Sequence, residues 1–309
     1  MIALIDAHYM LHRAAHVKEL SILRSSWGAS TGGALGVLRG IHDTLDRFPL
    51  CDRVVLVFDG GISQRRRKIY PNYKVREAVD VAEHAAYMTM FRENRDLLQS
   101  LAPTLGVRSV ELKHREADDL IGLLATKAEN QGELVVIVSD DKDMYQLVSR
   151  NIWVYRPMAQ QVVRIDTFPG VTGGITWGHW LLYRATTGDA SDRIPGIEGV
   201  GEKTAHTAVT SVAGANLCEA YRLFCNTSAD KRIRKIADNW DVVTRNMQLM
   251  EISQEKFEPA EAQQACVQSM GGERAAVRIE DLMSLLVAYE CQSLIEQLPG
   301  WLIPFQRLR

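Results

Sequence analysis

His114-Arg115-Glu116-Ala117-Asp118-Asp119-Leu120 places three carboxylates within four residues, at the head of an apolar pattern of helical period (Leu120, Ile121, Leu123, Leu124, Ala128). Gln131-Gly132-Glu133 closes that helix. Leu134-Val135-Val136-Ile137-Val138 follows as an unbroken apolar run, the mark of a strand buried on both faces. The run stops at Ser139 and delivers Asp140, Asp141 and Asp143. Helix capping accounts for one or two acids in a first turn, where the helix dipole favours negative charge. Six acids on two elements exceed that, and metal binding is the competing reading.

Outward from this stretch the pattern repeats. Ile2-Ala3-Leu4-Ile5-Asp6 and Arg53-Val54-Val55-Leu56-Val57-Phe58-Asp59-Gly60 are apolar runs that also end on aspartate. Residues 107–112 read as a further strand, 151–156 and 162–165 as edge strands, and roughly 34–48 and 80–101 as helices. Alternating strands and helices with continuously apolar central strands predict a mostly parallel α/β sheet flanked by helices. Ligands of such sheets bind beyond the carboxyl ends of the strands. Asp6, Asp59, Asp140 and Asp141 lie at those ends, and Glu116, Asp118 and Asp119 open a helix just after one. Carboxylates packed together without counter-charge repel and protonate. The convergence therefore favours the metal reading, with oxygen-preferring Mg²⁺ or Mn²⁺ as the natural cations.

The 309 residues allow two domains, and 46% hydrophobic with 24% charged residues is an ordinary globular balance. No apolar run approaches the ~20 residues of a membrane span, so no membrane partner is expected. No basic leader precedes Ile2, and the five cysteines are scattered without a Cys-x-x-Cys pair; both point to reduced thiols in a cytoplasmic protein. The net charge of −2 decides nothing about nucleic acid, but its segregation is informative. Arg65-Arg66-Arg67-Lys68 and Lys231-Arg232-Ile233-Arg234-Lys235 are dense basic blocks: solvated helix faces, or a basic surface around an acidic centre. Between the second strand and the next helix, Tyr70-Pro71-Asn72-Tyr73-Lys74-Val75-Arg76 mixes bases and aromatics around a Pro-Asn turn. His8 and His12, four apart, read as an exposed helix face and not as metal ligands.

A second, helical domain is expected after Pro169-Gly170, giving 1–168 and 169–309. Asp189 and Asp192 are three apart and able to face one point. Residues 194–205, Ile-Pro-Gly-Ile-Glu-Gly-Val-Gly-Glu-Lys-Thr-Ala, form a glycine-punctuated hairpin opening a helix, an arrangement that turns backbone amides toward phosphate. No P-loop spacing is present. Residues 214–309 read as amphipathic helices and carry no specific chemistry.

Taken together these motifs resemble the 5′-nuclease family: bacteriophage 5′→3′ exonucleases, the 5′-nuclease domain of bacterial DNA polymerase I, and flap endonucleases. Ile5-Asp6-Ala7-His8 with Arg13 is similar to the family's first motif; Val57-Phe58-Asp59 followed by Tyr73-Lys74 to its second. Glu116-Ala117-Asp118-Asp119 and Asp141-Lys142-Asp143 resemble the third and fourth, and residues 183–205 the fifth. The likeness covers about two thirds of the chain, from residue 2 to about 210. It implies two Mg²⁺ or Mn²⁺ ions held by Asp6, Asp59, Glu116, Asp118, Asp119, Asp141, Asp143, Asp189 and Asp192. Lys74 and Arg76 would neutralise the scissile phosphate, and residues of about 62–100 would form a helical arch over the site. DNA contacts would fall to Arg13, Arg65, Arg66, Arg67 and Tyr73, and to Gly196, Gly199, Gly201, Lys203 and Thr204 of a helix–hairpin–helix that also takes K⁺. The implied protein is a stand-alone monomer that cleaves 5′ flaps, nicks and duplex 5′ ends, with RNA–DNA hybrid as a further substrate, in replication, primer removal and repair. Two departures stand out: Asp140 is left out of the metal set, and Arg193 occupies a place where the family often has Asn. Two rivals are weighed against this reading. A small PIN-type ribonuclease would lack the hairpin, and a non-catalytic DNA-binding protein would have lost acids that are all present here.

Overall fold

The structure is a computed structural model, described for residues 1–309 except 76–80, 215, 253–256, 272–276 and 309. Its centre is a six-stranded sheet of β1 (Ile2–Asp6), β2 (Arg53–Val57), β3 (Arg108–Val110), β4 (Val135–Val138), β5 (Ile152–Arg156) and β6 (Gln161–Val163), ordered β3-β2-β1-β4-β5-β6. All neighbouring pairs are parallel except β5 with β6. The segment 151–156 is therefore an inner strand, and only 161–163 and 108–110 are edges.

The chain fills one side of β1 with β2 and β3, then returns to fill the other with β4. The reversal point lies between β1 and β4, where Asp6 pairs with Val57 on one side and Ile5 with Val138 on the other. Period-2 alternation sends Leu4, Val55 and Ile137 to one face and Ala3, Ile5 and Val136 to the other, and all are buried. The second face is covered by α1 (Ala7–Ala15), α2 (Gly32–Arg47) and the C-terminal half of α4 (Val81–Leu101), which follows the short α3 (Gln64–Ile69). The first is covered by α5 (Ala117–Asn130), whose Leu120, Ile121 and Leu124 are buried, and by helices of the second half.

That second half runs through α6 (Trp180–Thr187), a two-residue ladder β7 (Gly188–Asp189) with β8 (Ile194–Pro195), α7 (Glu202–Thr210), α8 (Lys231–Asp238), α9 (Trp240–Met250), α10 (Ile279–Ala288) and α11 (Gln292–Trp301), with shorter or uninvolved helices between. The division expected at 168/169 is not a break in packing. One core joins Leu4 and Leu124 to Phe168, Trp180, Ala205 and Val243. Leu282, Leu286, Leu294, Leu298 and Phe305 return to the opposite face and share its core with Leu38, Ile41 and Leu45 of α2.

Candidate metal centre

The parallel sheet dictates where the acids meet. Asp6 ends β1 and caps α1, accepting from the Tyr9 amide at 2.9 Å, while Ser139 at the end of β4 donates to its other oxygen at 3.2 Å. Burial, then the charge of Asp59, pushes this carboxyl up to about 8. Asp59, just past β2, accepts from the Ala117 amide at 2.6 Å and faces His8 Nδ1 at 3.2 Å. It is pushed up to about 6 by burial, against the Ala117 N–H and Lys74. Asp118 opens α5 and Asp141 follows β4, its carboxylate accepting from the Asp143 amide at 2.8 Å. Although Asp141 reaches solvent, loss of hydration and the charges of Asp118, Asp192 and Asp189 raise it. Asp143 is raised to about 7 by burial and Asp141. Asp192 is raised to about 6 by burial, with Lys74 opposing. Asp189 moves down: despite burial, hydrogen bonds from Ser191 and the Arg184 charge hold it below the ordinary range.

Three basic side chains partition the cluster. Lys74, in a left-handed turn (φ 52°), places Nζ 2.8 Å from Glu116 and 3.6 Å from Asp192, and its own amide donates to the Asp192 carbonyl. Those two carboxylates hold its pKa well above the usual lysine value, against burial. Arg184 of α6 bridges Asp143 (2.9 Å) and Asp189. No local spacing announces that role; it follows from α6 running beside the turn that carries Asp143. Arg66 of α3 is 1% exposed. Its guanidinium donates to Asp119 through two nitrogens at 2.8 and 2.9 Å, meets Glu116 at 3.2 Å, and donates through Nε to the Leu249 carbonyl of α9 at 2.7 Å.

Several expected site residues sit elsewhere than the sequence suggested. Arg66 is no DNA-facing charge: it is buried among the carboxylates that pair with it. Asp119, expected in the metal set, is buried against that guanidinium. Tyr73 is also buried, with its hydroxyl donating to Glu116 at 2.8 Å and standing 3.1 Å from Asp192, so it orients acids and does not stack on bases. Arg65 is half-buried and donates to the Gln248 carbonyl; Arg67 is exposed, Arg13 is half-buried, and Arg76 lies outside the described residues. His8 and His12 are not an exposed helix face: their rings meet Phe91 of α4 at 4.6 and 4.8 Å. Asp140 stands apart, bound by the Tyr9 hydroxyl and the Met158 amide.

The hairpin's glycines differ from one another. A Cβ on Gly196 would lie 2.2 Å from the Thr187 carbonyl oxygen, so this glycine serves packing rather than approach to DNA. Gly199 is left-handed (φ 75°), and Gly201, at the N-cap of α7, has open space where a Cβ would project. Lys203 is exposed and Thr204 half-buried on α7. Lys235, from the second basic block, brings Nζ within 3.3 Å of the Cβ position of Gly199, joining that block to the hairpin.

Among the described residues, no three His, Cys, Asp or Glu side chains form a ready-made metal group. The chemistry of the donor set nevertheless fits hard divalent cations. Asp6, Asp59, Asp141, Asp143 and Asp192 all have pKa values raised by burial and, for each, by at least one neighbouring carboxylate, which a cation relieves better than protons do at neutral pH.

A doubly wound sheet with a carboxylate edge, continued by helices that carry a glycine hairpin, defines the class. Residues 1–169 match the N-terminal resolvase-like domain of 5′-3′ exonucleases. The chain belongs to the 5′-3′ exonuclease family. It is 33% identical over 204 residues to the thermostable DNA polymerase I of Thermus aquaticus, a match covering 66% of this chain and 23% of the polymerase. It is 27% identical over 183 residues to the 5′-3′ exonuclease of Buchnera aphidicola, covering 59% of this chain and 61% of that protein. The chain thus spans about a quarter of the length of the polymerases it matches. In fold it is similar to T5 5′-exonuclease with bound zinc (TM-score 0.68, 17% identity, covering 93% of this chain and 98% of that one). It is also similar to the catalytic core of Rad2 in complex with DNA substrate (TM-score 0.53, 15% identity, covering 98% and 92%). Among the described residues no helix is long and apolar enough to cross a membrane.

Proposed function

We infer that this chain is a divalent-metal-dependent 5′ nuclease that hydrolyses DNA phosphodiester bonds at 5′ ends and 5′ flaps, leaving a 5′ phosphate. The observation that carries the reading is the gathering of acids from β1, β2, α5, the turn after β4 and the 188–192 turn at one sheet edge, beside Lys74. Asp6, Asp59, Glu116, Asp118, Asp141, Asp143, Asp189 and Asp192 would hold a pair of Mg²⁺ or Mn²⁺ ions; Asp119 is omitted because Arg66 occupies it. When bound, such ions supply an activated water and charge stabilisation for the leaving 3′ oxygen. Lys74 lies between Glu116 and Asp192, so its ammonium is placed to neutralise a phosphate entering the cluster. Tyr73 and Arg66 hold Glu116 in place beneath it. Gly199, Gly201, Lys203 and Lys235 present amides and ammonium groups to the duplex backbone, a contact that reads shape and charge and not sequence. Of the span expected as an arch, Arg66 and Tyr73 are buried beneath the acids and the C-terminal half of α4 packs on the sheet, which leaves the exposed N-terminal half of α4 as its candidate. K⁺ at the hairpin, an RNA–DNA hybrid as further substrate, a monomeric state and action in the cytoplasm during replication and repair complete the proposal. The T5 and Rad2 structures, with metal and DNA respectively, support it by analogy of fold. Digestion of 5′-labelled flap, nicked and blunt duplexes with and without chelator tests it; full activity in excess chelator would sink it.

A further inference from the structure

Between the acidic cluster and the hairpin lies a cavity of about 620 Å³, the size of a nucleotide site. Lys142 and Tyr145 line it from the turn that carries Asp143, Arg156 from the end of β5, Trp180 and Arg184 from α6, and Gly201 from the N-terminus of α7. One polar atom on its wall is buried without a hydrogen bond, the Tyr145 hydroxyl, in a residue 2% exposed; the Arg156 guanidinium lies beside it, with Nε held by Asp140 at 3.2 Å. A buried donor left without a partner destabilises the fold that holds it. Such a donor on the wall, with a guanidinium and an ammonium beside it, calls for an acceptor-rich anion. Arg184 is engaged through two of its nitrogens by Asp143 and Asp189, and Arg156 through Nε alone by Asp140, so the donors left for a ligand are Tyr145, Lys142 and the other guanidinium nitrogens of Arg156.

Position narrows the class. One rim is Gly201 of the hairpin and the other is Asp189 of the acidic cluster. A strand gripped at the hairpin crosses this cavity on its way to the acids. We propose that the cavity binds a phosphate group, that of a linkage on the duplex side of the cleaved bond, with Tyr145 Oη, Arg156 and Lys142 as its donors. The same chemistry would accept the 5′ phosphate of a released mononucleotide. The inference rests on the nuclease reading above for its strand and on the cavity alone for its phosphate.

The test uses a 5′-flap duplex carrying one uncharged methylphosphonate at each successive duplex-side linkage, with binding measured in metal-free buffer. In the wild-type protein one linkage should lose about tenfold in affinity when neutralised. Tyr145→Phe and Arg156→Met should bind native and neutralised duplex equally at that linkage. Tyr145→Phe removes a single oxygen, so it stays informative even where Arg156→Met disturbs the Asp140 pair. In a second arm, millimolar deoxyadenosine 5′-monophosphate is added to each protein. A rise in melting temperature confined to the wild type, with no sensitive linkage, keeps the phosphate site and makes the released nucleotide its source. Neither effect in a wild type that binds and cleaves flaps overturns the inference and leaves the nuclease reading standing. A wild type that neither binds nor cleaves DNA overturns that reading, and the mononucleotide arm then decides the cavity alone.

Discussion

Asp6 and Asp189 belong to one cluster and have opposite fortunes. Asp6 is pushed up to about 8 with only uncharged donors on its oxygens, while Asp189 is drawn down by Arg184 and Ser191. The difference divides the centre into two halves. At Asp189 and Glu116, arginine and lysine already balance the charge. At Asp6 and Asp59 it is left for protons or a cation. A metal ion gains most at the second half and must compete with ammonium groups at the first.

The largest expected effect sharpens this division through the chemistry. Asp118→Asn or Asp141→Asn should lower flap cleavage by roughly a hundredfold or more, as loss of a group acting on developing charge does. Duplex affinity in metal-free buffer should stay near normal, which separates catalysis from binding. Next comes the balanced half. Arg66→Met leaves buried Asp119 without its partner and should cost about 3–5 kcal/mol in urea unfolding. Arg66→Met with Asp119→Leu should recover much of that loss, because an apolar pair of similar volume replaces the buried ions. No recovery would mean that the guanidinium's bonds to Glu116 and Leu249 dominate.

A further effect follows from pH. A carboxyl whose folded pKa is raised favours the folded state fully below its unfolded value near 4, and that contribution is lost as pH rises through the folded value. Asp6 near 8, with Asp59 and Asp192 near 6 and Asp143 near 7, sets the window. Metal-free protein should lose several kcal/mol between pH 5 and 8, and Mn²⁺ should restore it increasingly toward pH 8. Asp6→Asn keeps the α1 cap and should flatten the profile; an unchanged slope would break the comparison.

The mildest change is at the hairpin. Gly199→Val strains a left-handed residue by about 1–2 kcal/mol, whereas Gly201→Ala enters open space. In folded variants both should weaken duplex binding and make its salt dependence shallower. Wild-type affinity, salt slope and cleavage position would show that the hairpin does not hold DNA.

Much of the sheet was legible because apolar runs ending on aspartate report both a buried strand and its functional end. Inner-strand status of 151–156 was not, since its alternation of Ile152, Val154 and Arg156 is what an edge strand also shows. Strand-end acids could be read from position alone. Their partners could not: Arg66 in a four-base run looks solvated, and its burial depends on Asp119 and on Leu249, far along the chain. Arg193 is legible only in retrospect. It adopts φ 56°, a conformation that Asn tolerates better than Arg, which gives a physical reason for Asn at that place in the family.

The bond from Arg66 to the Leu249 carbonyl also bears on the order of biosynthesis. All the acids have been made once Asp192 is joined, yet the clamp that seats Glu116 waits for residue 249 to leave the ribosome. Until then α3 has a guanidinium with carboxylates on one side and nothing to accept Nε on the other. Chains halted at residue 230 should therefore be digested by added protease within the 62–75 segment, and chains halted beyond 290 should resist.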